Sequence, residues 1–523
     1  MRRLAIGATS AMLQVVAAHT GKKGFVSLLG AGPGDPELIT ERAARRLAAA
    51  DLVLYDALCH PDLLKRARPD AEVEFVGKRA GRSLTRQQSI NDRLVQAAAE
   101  GKHVVRLKGG DPYLFGRGSE EAEWLAENGV AFEVVPGVPS PLAATAYAGI
   151  SLTHRALASS VAYLTATESP EKDRSSHDWP RLATATETLV IFMGMRKLRS
   201  LMALLIEHGR PPNTPAAVIH AASLPSQKTV VGTVATIADR AEGLGLPSLI
   251  VVGEVVRLRE KLRWFDGLPL FGKSVLVPRP AHQGGALARL VRERGGKAVC
   301  VPAIEVCPPA DEEALRSAVG AAGDFDWIVL TSQNAVDAFF DQLRAIKRDA
   351  RSLGKARIAA VGKKTAAALE RLHLRPDLVS KTANAEALVT ALEPELAPAS
   401  RVLFPRARAG RDVLPDALRA QGHDVHLVEA YETRAVQGDG AAALAEALTQ
   451  VDAVGLTSSS IVRSLHAAAP DALRRCRLVS IGPVTTKTAV ELGLEVQAEA
   501  PAASIESLLD SLEAIFAREP TGL

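Results

Sequence analysis

Short apolar runs alternate with amphipathic segments of helical length in the first half of the chain, and this alternation restricts the fold more than any other feature. The apolar runs read FVSLLG, DLVLYD, HVVRLKG, FEVVPG, TLVIFMG and SLIVVG. Segments such as ELITERAARRLAAA and SEEAEWLAENG, which have helical periodicity, lie between them. The pattern predicts an α/β fold in which most strands are buried.

The second half contains an internal repeat. SVLVPRP returns as RVLFPRA, WIVLTSQNAV as AVGLTSSSIV, and RIAAVGKKTAAALERLHL as RLVSIGPVTTKTAVELGL. The pairs occur in the same order at roughly the same offset, which predicts two similar α/β lobes rather than a solenoid. Two lobes imply a cleft, where small ligands commonly bind.

A chain of 523 residues is too long for one core and should divide into several domains. The Gly- and Pro-containing segment WFDGLPLFG separates the two patterned regions and is interpreted as the linker. The first residues resemble a signal peptide only superficially, so we expect a disordered extension or a misassigned start. The predicted divisions are an extension 1–22, a first domain 23–266, a linker 267–272, a second domain 273–516 and a tail 517–523.

Composition narrows the class of protein. The formal net charge of +4 gives no general argument for nucleic acid or membrane binding, so an acidic ligand must be bound by local basic groups. The four cysteines form no CxxC pair, which fits a reducing cytoplasm and predicts no metal site. No apolar run is long enough to span a bilayer.

Three predicted strands end in glycine-containing turns. GAGPGD follows the first strand, KGGDP and FGRG follow the strand HVVRLK, and PG follows FEVV. Such ends would converge on one edge of a parallel sheet, where open α/β folds bind ligands. The spacing G-x-G-x-G is not that of a dinucleotide loop. A tight strand–helix turn with Asp35 as N-cap and Pro36 in the first helical turn explains GAGPGD equally well.

Together these segments resemble the tetrapyrrole methylase family, and within it the uroporphyrinogen-III C-methyltransferases. GAGPGD, VLYD, VGKRAG, VVRLKGGDPYLFGRG, VVPG, AYAGISLTHR, FMGM and LIVVGEVVRLREKL match in order over nearly all of residues 25–265. VGKRAG combined with RLKGGDP distinguishes this branch from the ribose-methylating and diphthamide branches.

The resemblance implies S-adenosylmethionine as methyl donor, and a homodimer formed through this domain. This methyl donor is a sulfonium cation without a phosphate group, so backbone carbonyls and apolar walls suffice to bind it. The positions that match the family's cofactor contacts are Pro33, Gly109, Gly110, Asp111, Leu114, Pro139, Ser140, Met193 and Ala222.

The resemblance also implies acid–base residues, with Asp56 as proton acceptor and Lys78 as proton donor. A strand-end cap for Asp56 and a solvated lysine for Lys78 are the alternatives. The acceptor carries eight carboxylates, so clustered cations at the mouth of a cleft would bind it. The candidates are Arg79, Arg106, Lys108, Arg117 and Arg155.

Four segments depart from the family pattern. Val138-Pro139-Ser140-Pro141 replaces Ile-Thr-Ser-Ala, and Arg82 follows KRAG in place of the usual histidine, with Arg86 and Gln87 in place of Pro-Gln. Thr165-Ala166-Thr167 replaces Thr-Gly-His, and His220-Ala221-Ala222 replaces Glu-Asn-Gly. Three of them fall near expected cofactor or substrate loops and therefore bear on the rate and regiochemistry of methylation.

The second half, from 272 to about 516, resembles uroporphyrinogen-III synthase. The resemblance implies two lobes, which we place at 273–308 with 434–516 and at 309–433, with the linear bilane between them. Tyr431 matches a family tyrosine that assists the leaving hydroxyl. Candidate carboxylate-binding residues are Arg279, Thr331, Ser332, Asn334, Arg406, Thr457, Ser458 and Ser459. Helix N-capping explains Ser332 and Ser459 equally well, and structural ion pairs would explain Arg279 and Arg406.

The sequence thus predicts a bifunctional cytoplasmic enzyme that acts on tetrapyrroles. Its second half would convert hydroxymethylbilane to uroporphyrinogen III. Its first half would transfer two methyl groups to uroporphyrinogen III, at C2 and C7, to give precorrin-2. The alternatives are a methyltransferase for a later corrinoid precursor and a second half that only binds tetrapyrroles.

Overall fold

The computed structural model describes residues 24–77, 87–167, 176–279, 281–382, 384–410 and 412–517. The chain divides into two compact units. One comprises the chain up to Lys273 together with Arg292–Lys297, and the other comprises Ser274–Val291 and the chain from Ala298. Among the described residues, no helix has the length and apolar character needed to cross a membrane.

The first unit begins with a five-stranded sheet in which all pairings are parallel. Its order is β3-β2-β4-β1-β5, from β1 Phe25–Gly30, β2 Leu52–Tyr55, β3 Glu72–Phe75, β4 His103–Lys108 and β5 Ala131–Val135. The helical segments are Pro36–Leu38, Glu41–Ala48, Pro61–Leu64, Gln87–Ala99 and Gly118–Glu127. Buried valines and leucines of the central strands pack against both helical layers, as the apolar runs predict.

Helix Ser140–Tyr147 leads to a second five-stranded sheet of the same unit. Its order is β6-β7-β10-β8-β9, from β6 Val161–Thr165, β7 Thr188–Phe192, β8 Pro215–His220, β9 Lys228–Thr233 and β10 Ser248–Val252. Only β6 and β7 are parallel; β10 runs antiparallel to β7 and β8, and β9 runs antiparallel to β8. The helical segments are Trp179–Ala185, Met195–Lys197, Leu198–Glu207, Ile237–Arg240, Glu254–Leu258, Arg259–Leu262 and Phe265–Gly267.

The predicted linker begins inside this unit. Phe265 is buried, and its ring lies 4.7 Å from that of Tyr147 and 5.3 Å from that of Phe271. The indole nitrogen of Trp264 donates to the carbonyl oxygen of Ala146 at 2.9 Å. These aromatic contacts tie the segment to helix Ser140–Tyr147, so it is part of the first unit's packing.

The second unit contains two parallel-rich sheets. Its strands are β11 Ser274–Val277, β12 Lys297–Cys300, β13 Ile304–Cys307, β14 Trp327–Leu330, β15 Arg357–Ala360, β16 Leu378–Val379, β17 Arg401–Ala407, β18 Asp424–Ala435, β19 Ala453–Leu456, β20 Arg477–Ser480 and β21 Ala498–Glu499. Its α-helices are Ala281–Glu293, Glu312–Gly320, Gln333–Ala345, Lys363–Glu370, Ala385–Leu392, Val413–Ala420, Asp439–Leu448, Ser459–Ala468, Pro470–Arg475, Pro483–Glu491 and Ile505–Ala517, and short 3₁₀ turns lie at Ala322–Asp324, Ala350–Leu353 and Glu393–Glu395.

The sequence repeat corresponds to a repeated sheet. One sheet has the order β12-β11-β19-β20-β21, and the other has β13-β18-β17-β14-β15-β16. The repeated sequence pairs form β11 and β17, β14 and β19, and β15 and β20, which occupy equivalent places in the two orders. The prediction of two similar α/β lobes is confirmed.

Strands β13 and β18 connect the lobes. They pair antiparallel from Ile304 with Ala435 to Cys307 with Glu432, and both belong to the six-stranded sheet. The predicted division placed residues up to 308 in the lobe that contains β11. In the structure, Ile304–Cys307 belongs to the six-stranded sheet instead, because its backbone N–H and C=O groups form their hydrogen bonds with the edge of β18.

Candidate functional site

The loops after β1, β4 and β5, which are neighbours in the first sheet, meet at glycine residues. A Cβ atom added to Gly30 would lie 2.4 Å from the Cα of Gly137, and one on Gly137 would lie 2.2 Å from the carbonyl oxygen of Gly110. Gly32 and Gly110 exchange backbone hydrogen bonds of 3.3 and 2.7 Å. The predicted convergence of the three strand ends is confirmed, and only glycine allows backbones to approach so closely.

One side of this junction is less tightly packed. Gly110 has a φ of +69°, and a Cβ atom there would have its nearest neighbours at 3.8 Å, the nitrogen of Ser140, and at 3.9 Å, the Cα of Pro139. Pro33, Gly109 and Leu114 are half-buried around it. The structure therefore brings most of the predicted cofactor positions on the first sheet to one exposed backbone surface.

Asp111 shapes this surface from beneath. Its carboxylate accepts hydrogen bonds from the backbone nitrogens of Tyr113, at 2.8 Å, and Gly137, at 3.1 Å. These bonds hold the loop after β4 against the loop after β5. A carboxylate engaged by two backbone amides orients the predicted cofactor loops.

Two further predicted positions, Met193 and Ala222, follow β7 and β8 of the second sheet. Met193 has φ +54° and is exposed, and Ala221 and Ser223 on either side of Ala222 have φ +47° and +63°. Non-glycine residues in the left-handed region are strained and cluster at functional sites. A Cβ atom on Gly34 would lie 2.8 Å from the carbonyl oxygen of Ala222, so GAGPGD packs directly against this loop.

Asp35 connects the two sets of loops. It caps the short helix at Pro36, as predicted, by accepting from the nitrogen of Glu37 at 2.9 Å. Its other oxygen accepts the phenol hydrogen of Tyr147 at 3.0 Å, and its own nitrogen donates to the hydroxyl of Ser223 at 3.0 Å. Burial, and then the charge of Asp35, raise the pKa of Tyr147. Neither Tyr147 nor Ser223 is indicated by the sequence, because hydrogen bonds between residues so far apart in the chain leave no local pattern.

Asp56 follows β2 and contacts a buried charge cluster. A guanidinium nitrogen of Arg106 lies 3.5 Å from its carboxylate. The Nε of Arg106 and the Nζ of Lys108 both donate to the same oxygen of Glu121, at 3.2 and 3.0 Å. Glu121 is fully buried, and Arg106 and Lys108 are each 4% exposed. Burial lowers the pKa of Lys108.

This arrangement corrects the prediction that Arg106 and Lys108 line the mouth of the cleft. Residues two apart on β4 share one face of the strand, and that face is covered by helix Gly118–Glu127. Glu121 therefore already pairs with both cations inside the fold. Glu121 is not among the predicted site residues, although its place four residues before the buried Leu125 puts it on the core-facing side of its helix.

The other predicted cations of this unit are placed differently. Arg117 and Arg155 are exposed, and the Nε of Arg117 donates to Glu120 at 2.9 Å. Lys78 and Arg79 lie outside the described residues. Arg117 and Arg155 thus fit an exposed carboxylate-binding role better than Arg106 and Lys108 do.

In the second unit, Tyr431 on β18 and Ser332 after β14 are in contact. The phenol oxygen lies 3.0 Å from the hydroxyl oxygen of Ser332, which also accepts from the nitrogen of Ala335 at 3.1 Å. Ser332 is thus the N-cap of helix Gln333–Ala345, and it contacts the predicted catalytic tyrosine as well. Thr331 and Asn334, on either side, are half-buried.

The other lobe has the corresponding strand end after β19. Ser458 caps helix Ser459–Ala468, which corrects the suggestion that Ser459 is the cap: Ser458 has the extended backbone that an N-cap needs. The hydroxyl of Ser459 instead accepts from that of Thr488 at 2.8 Å. Thr457 accepts from the Nε of Arg279 at 3.0 Å.

The two predicted arginines of this unit have different partners. Arg406 forms a 2.8 Å ion pair with Asp412, in agreement with the structural alternative. Arg279 is half-buried, and no carboxylate lies within ion-pairing distance of it in the described part of the chain. Burial lowers the pKa of its guanidinium. A buried guanidinium without a carboxylate partner is suited to bind an anionic ligand.

Comparison with known proteins gives two family matches. Residues 26–238 match the model for tetrapyrrole (corrin/porphyrin) methylases, and residues 285–510 match the model for uroporphyrinogen-III synthase HemD. The chain is 36% identical to a porphyrin biosynthesis protein HemD of Ruminiclostridium josui, over 94% of this chain and 97% of that protein. It is 37% identical to a uroporphyrinogen-III C-methyltransferase of Bacillus subtilis, over 72% of this chain and 74% of that protein.

Other matches cover one half. A siroheme synthase of Neisseria meningitidis is 51% identical over 46% of this chain, which spans about half (50%) of that protein's length. A structure of uroporphyrin-III C-methyl transferase from Thermus thermophilus complexed with S-adenyl homocysteine covers 45% of this chain and 100% of that one, with 39% identity and a TM-score of 0.40. The relative that matches over nearly the full length and the two domain matches together show that the chain belongs to the family of fused tetrapyrrole biosynthesis enzymes, in which a tetrapyrrole methylase domain precedes a uroporphyrinogen-III synthase domain.

Proposed function

We propose that this enzyme converts hydroxymethylbilane to uroporphyrinogen III in its second unit and methylates that product at C2 and C7 in its first unit, to give precorrin-2. One observation carries the proposal: a single chain contains a glycine junction at a methylase sheet edge and a Tyr431–Ser332 contact in a synthase lobe. The product of one proposed reaction is the substrate of the other.

The proposed methyl donor is S-adenosylmethionine, which supplies an electrophilic methyl group when bound. The backbone at Gly110 leaves room for such a ligand, because a Cβ atom built there would have no clash: in the described part of the chain, apart from the adjoining residues, its nearest atom lies at 3.8 Å. The exposed Met193 and the half-buried Pro139, Ser140 and Ala222 would add apolar and backbone contacts. Positioning contributes more here than a strong base, since the acceptor carbon belongs to an electron-rich pyrrole.

Asp56 is the proposed proton acceptor as the methylated ring rearranges. Its carboxylate is about a quarter exposed (24%) and contacts Arg106, so this candidate base lies at the strand end without being sealed in the core. Lys78 remains the proposed proton donor. Arg117 and Arg155 are the proposed ligands for the acid groups of the acceptor.

In the synthase unit, the proposed role of Tyr431 is to donate its phenol hydrogen to the departing hydroxyl. The cationic intermediate that remains must be shielded until the ring closes with its last pyrrole inverted. Arg279, Thr457 and the strand-end hydroxyls would hold carboxylates of the bilane.

A coupled assay tests the whole proposal. The full chain is supplied with hydroxymethylbilane and radiolabelled methyl donor without oxygen, and the products are separated. The expected product is dimethylated uroporphyrinogen III, formed without any added synthase. Methylation only when uroporphyrinogen III is supplied would instead support a second half that binds tetrapyrroles without converting them. Sedimentation of the full chain tests the proposed homodimer.

A further inference from the structure

The charge cluster beside Asp56 contains a residue that the proposed reaction does not yet use. Glu121 is fully buried on helix Gly118–Glu127, and one of its carboxylate oxygens receives Arg106, Lys108 and the side-chain nitrogen of Gln87, the last at 3.0 Å. Its other oxygen has no hydrogen-bond partner in the described part of the chain. A buried carboxylate that leaves one oxygen unpaired is costly and calls for an explanation.

Arg106 connects Glu121 with Asp56 at the end of β2. Arg106 donates through Nε to Glu121, through another nitrogen to the carbonyl oxygens of Leu54 and Leu107, and lies 3.5 Å from Asp56 through the third. Its guanidinium is therefore shared between two carboxylates. Removing the charge of Glu121 therefore alters how strongly Arg106 attracts the charge of Asp56.

The charges balance only when both carboxylates are ionised. Arg106 and Lys108 supply two positive charges, and Asp56 and Glu121 supply two negative ones. Among the residues that the structure describes, the remaining titratable group in contact with Asp56 is the thiol of Cys59, which burial keeps neutral by raising its pKa. Gln87 and Asn91 from helix Gln87–Ala99 are uncharged.

We propose that Glu121 is a positioning residue for methyl transfer: it takes up the charge of Lys108 and part of that of Arg106, so that Asp56 remains basic enough to accept a proton. Without this carboxylate, two cations would face Asp56 alone. The attraction of Arg106 would then make the carboxylate of Asp56 a poor base. The inference rests on the proposed role of Asp56.

Substitutions in the full-length enzyme test the inference. Glu121→Gln removes a negative charge and keeps the shape, whereas Lys108→Met removes a positive one from the same cluster. Glu127→Gln is the charge-matched control, because Glu127 is exposed at the end of the same helix. The rate of methyl transfer is measured against pH with saturating uroporphyrinogen III and methyl donor, without oxygen.

Glu121→Gln is expected to move the acidic limb of the rate profile about one pH unit lower and to reduce the plateau rate about three- to tenfold. Lys108→Met is expected to move the same limb to higher pH, because it leaves the cluster with excess negative charge. Glu127→Gln should match the wild type. Glu121→Asp, which restores the charge, should recover most of the wild-type profile.

The inference is overturned if Glu121→Gln folds and keeps the wild-type pH profile, or if both charge changes shift the limb in the same direction. If Glu121→Gln does not fold, the direction of the Lys108→Met shift decides the question. The Asp56→Asn variant separates the proposed role of Asp56 as proton acceptor from the proposed positioning role of Glu121. An active Asp56→Asn enzyme would refute the proposed proton acceptor itself, whereas an inactive one combined with an unshifted Glu121→Gln profile would refute only the role of Glu121.

Discussion

The hydroxyl oxygen of Ser332 lies 3.0 Å from the phenol oxygen of Tyr431 and 3.1 Å from the nitrogen of Ala335, whose hydrogen it accepts. The hydroxyl hydrogen of Ser332 can therefore point at the oxygen of Tyr431. In that arrangement the phenol hydrogen is free to be donated to a substrate hydroxyl. A helix cap and a proposed catalytic donor are thus joined through one serine.

We expect Tyr431→Phe to slow synthesis of the III isomer about tenfold and to shift product toward the I isomer. The change removes one hydrogen bond to the leaving group, while the bilane still cyclises without ring inversion. Chromatographic separation of the two isomers measures the effect. Methylation of supplied uroporphyrinogen III should be unchanged, and a normal isomer ratio would refute the role.

Ser332→Ala should shift the isomer ratio in the same direction and lower the free energy of unfolding by about 1 kcal/mol, since a helix loses its cap. Asp311→Ala is the matched control. Asp311 caps helix Glu312–Gly320 by accepting from the nitrogen of Ala314 at 2.8 Å. The Asp311→Ala variant should lower the free energy of unfolding in urea by a similar amount and leave the isomer ratio unaltered. Equal shifts of the isomer ratio in both variants would point to an effect of stability alone.

Gly110→Leu should abolish binding of S-adenosylmethionine, measured by calorimetry, while the protein still folds. The new side chain would enter the less tightly packed side of the junction, at a backbone strain of about 1–2 kcal/mol. Gly30→Ala tests the opposite face of the junction. Its Cβ atom would lie 2.4 Å from Gly137, so we expect loss of the folded state. Unchanged cofactor affinity in folded Gly110→Leu would place the ligand elsewhere.

Arg279→Met should raise the KM for hydroxymethylbilane about tenfold with a smaller change in kcat, because a carboxylate-binding cation is lost. The control is Arg474→Met, which removes an exposed arginine paired with Asp471 at 2.8 Å. That pair should contribute little. A KM equal in both variants and the wild type would show that Arg279 does not bind the bilane.

The fragment up to residue 272 and the fragment from residue 273, expressed separately, should each fold and keep their own activity. Ending the first fragment at residue 263 would remove Trp264 and Phe265 from Tyr147, whose phenol holds Asp35. We therefore expect the shorter fragment to melt at a lower temperature and bind the methyl donor more weakly. Equal melting and binding of both fragments would show that the aromatic contacts do not support the loop.

Local patterns predicted much of this protein. The apolar runs are strands β1, β2, β4, β5, β7 and β10, and the repeat appears as two sheets of equivalent order. Glycine spacing at three strand ends predicted their meeting, because parallel strands bring their carboxyl ends to one edge. The mixed direction of the second sheet was not predicted, since a buried strand has the same composition in either direction.

The sequence by itself determined which apolar runs are buried, where strands end and which turns require glycine, since these depend on side chains close together in the chain. Only the tertiary structure decided which charges meet. Arg106 and Lys108 look like substrate ligands in the sequence, yet the fold pairs them with Glu121. Ser332 and Tyr431 lie in separate segments, and Tyr147 reaches Asp35 from another helix. Electrostatic and hydrogen-bond partners depend on distance in space, which a linear pattern does not encode.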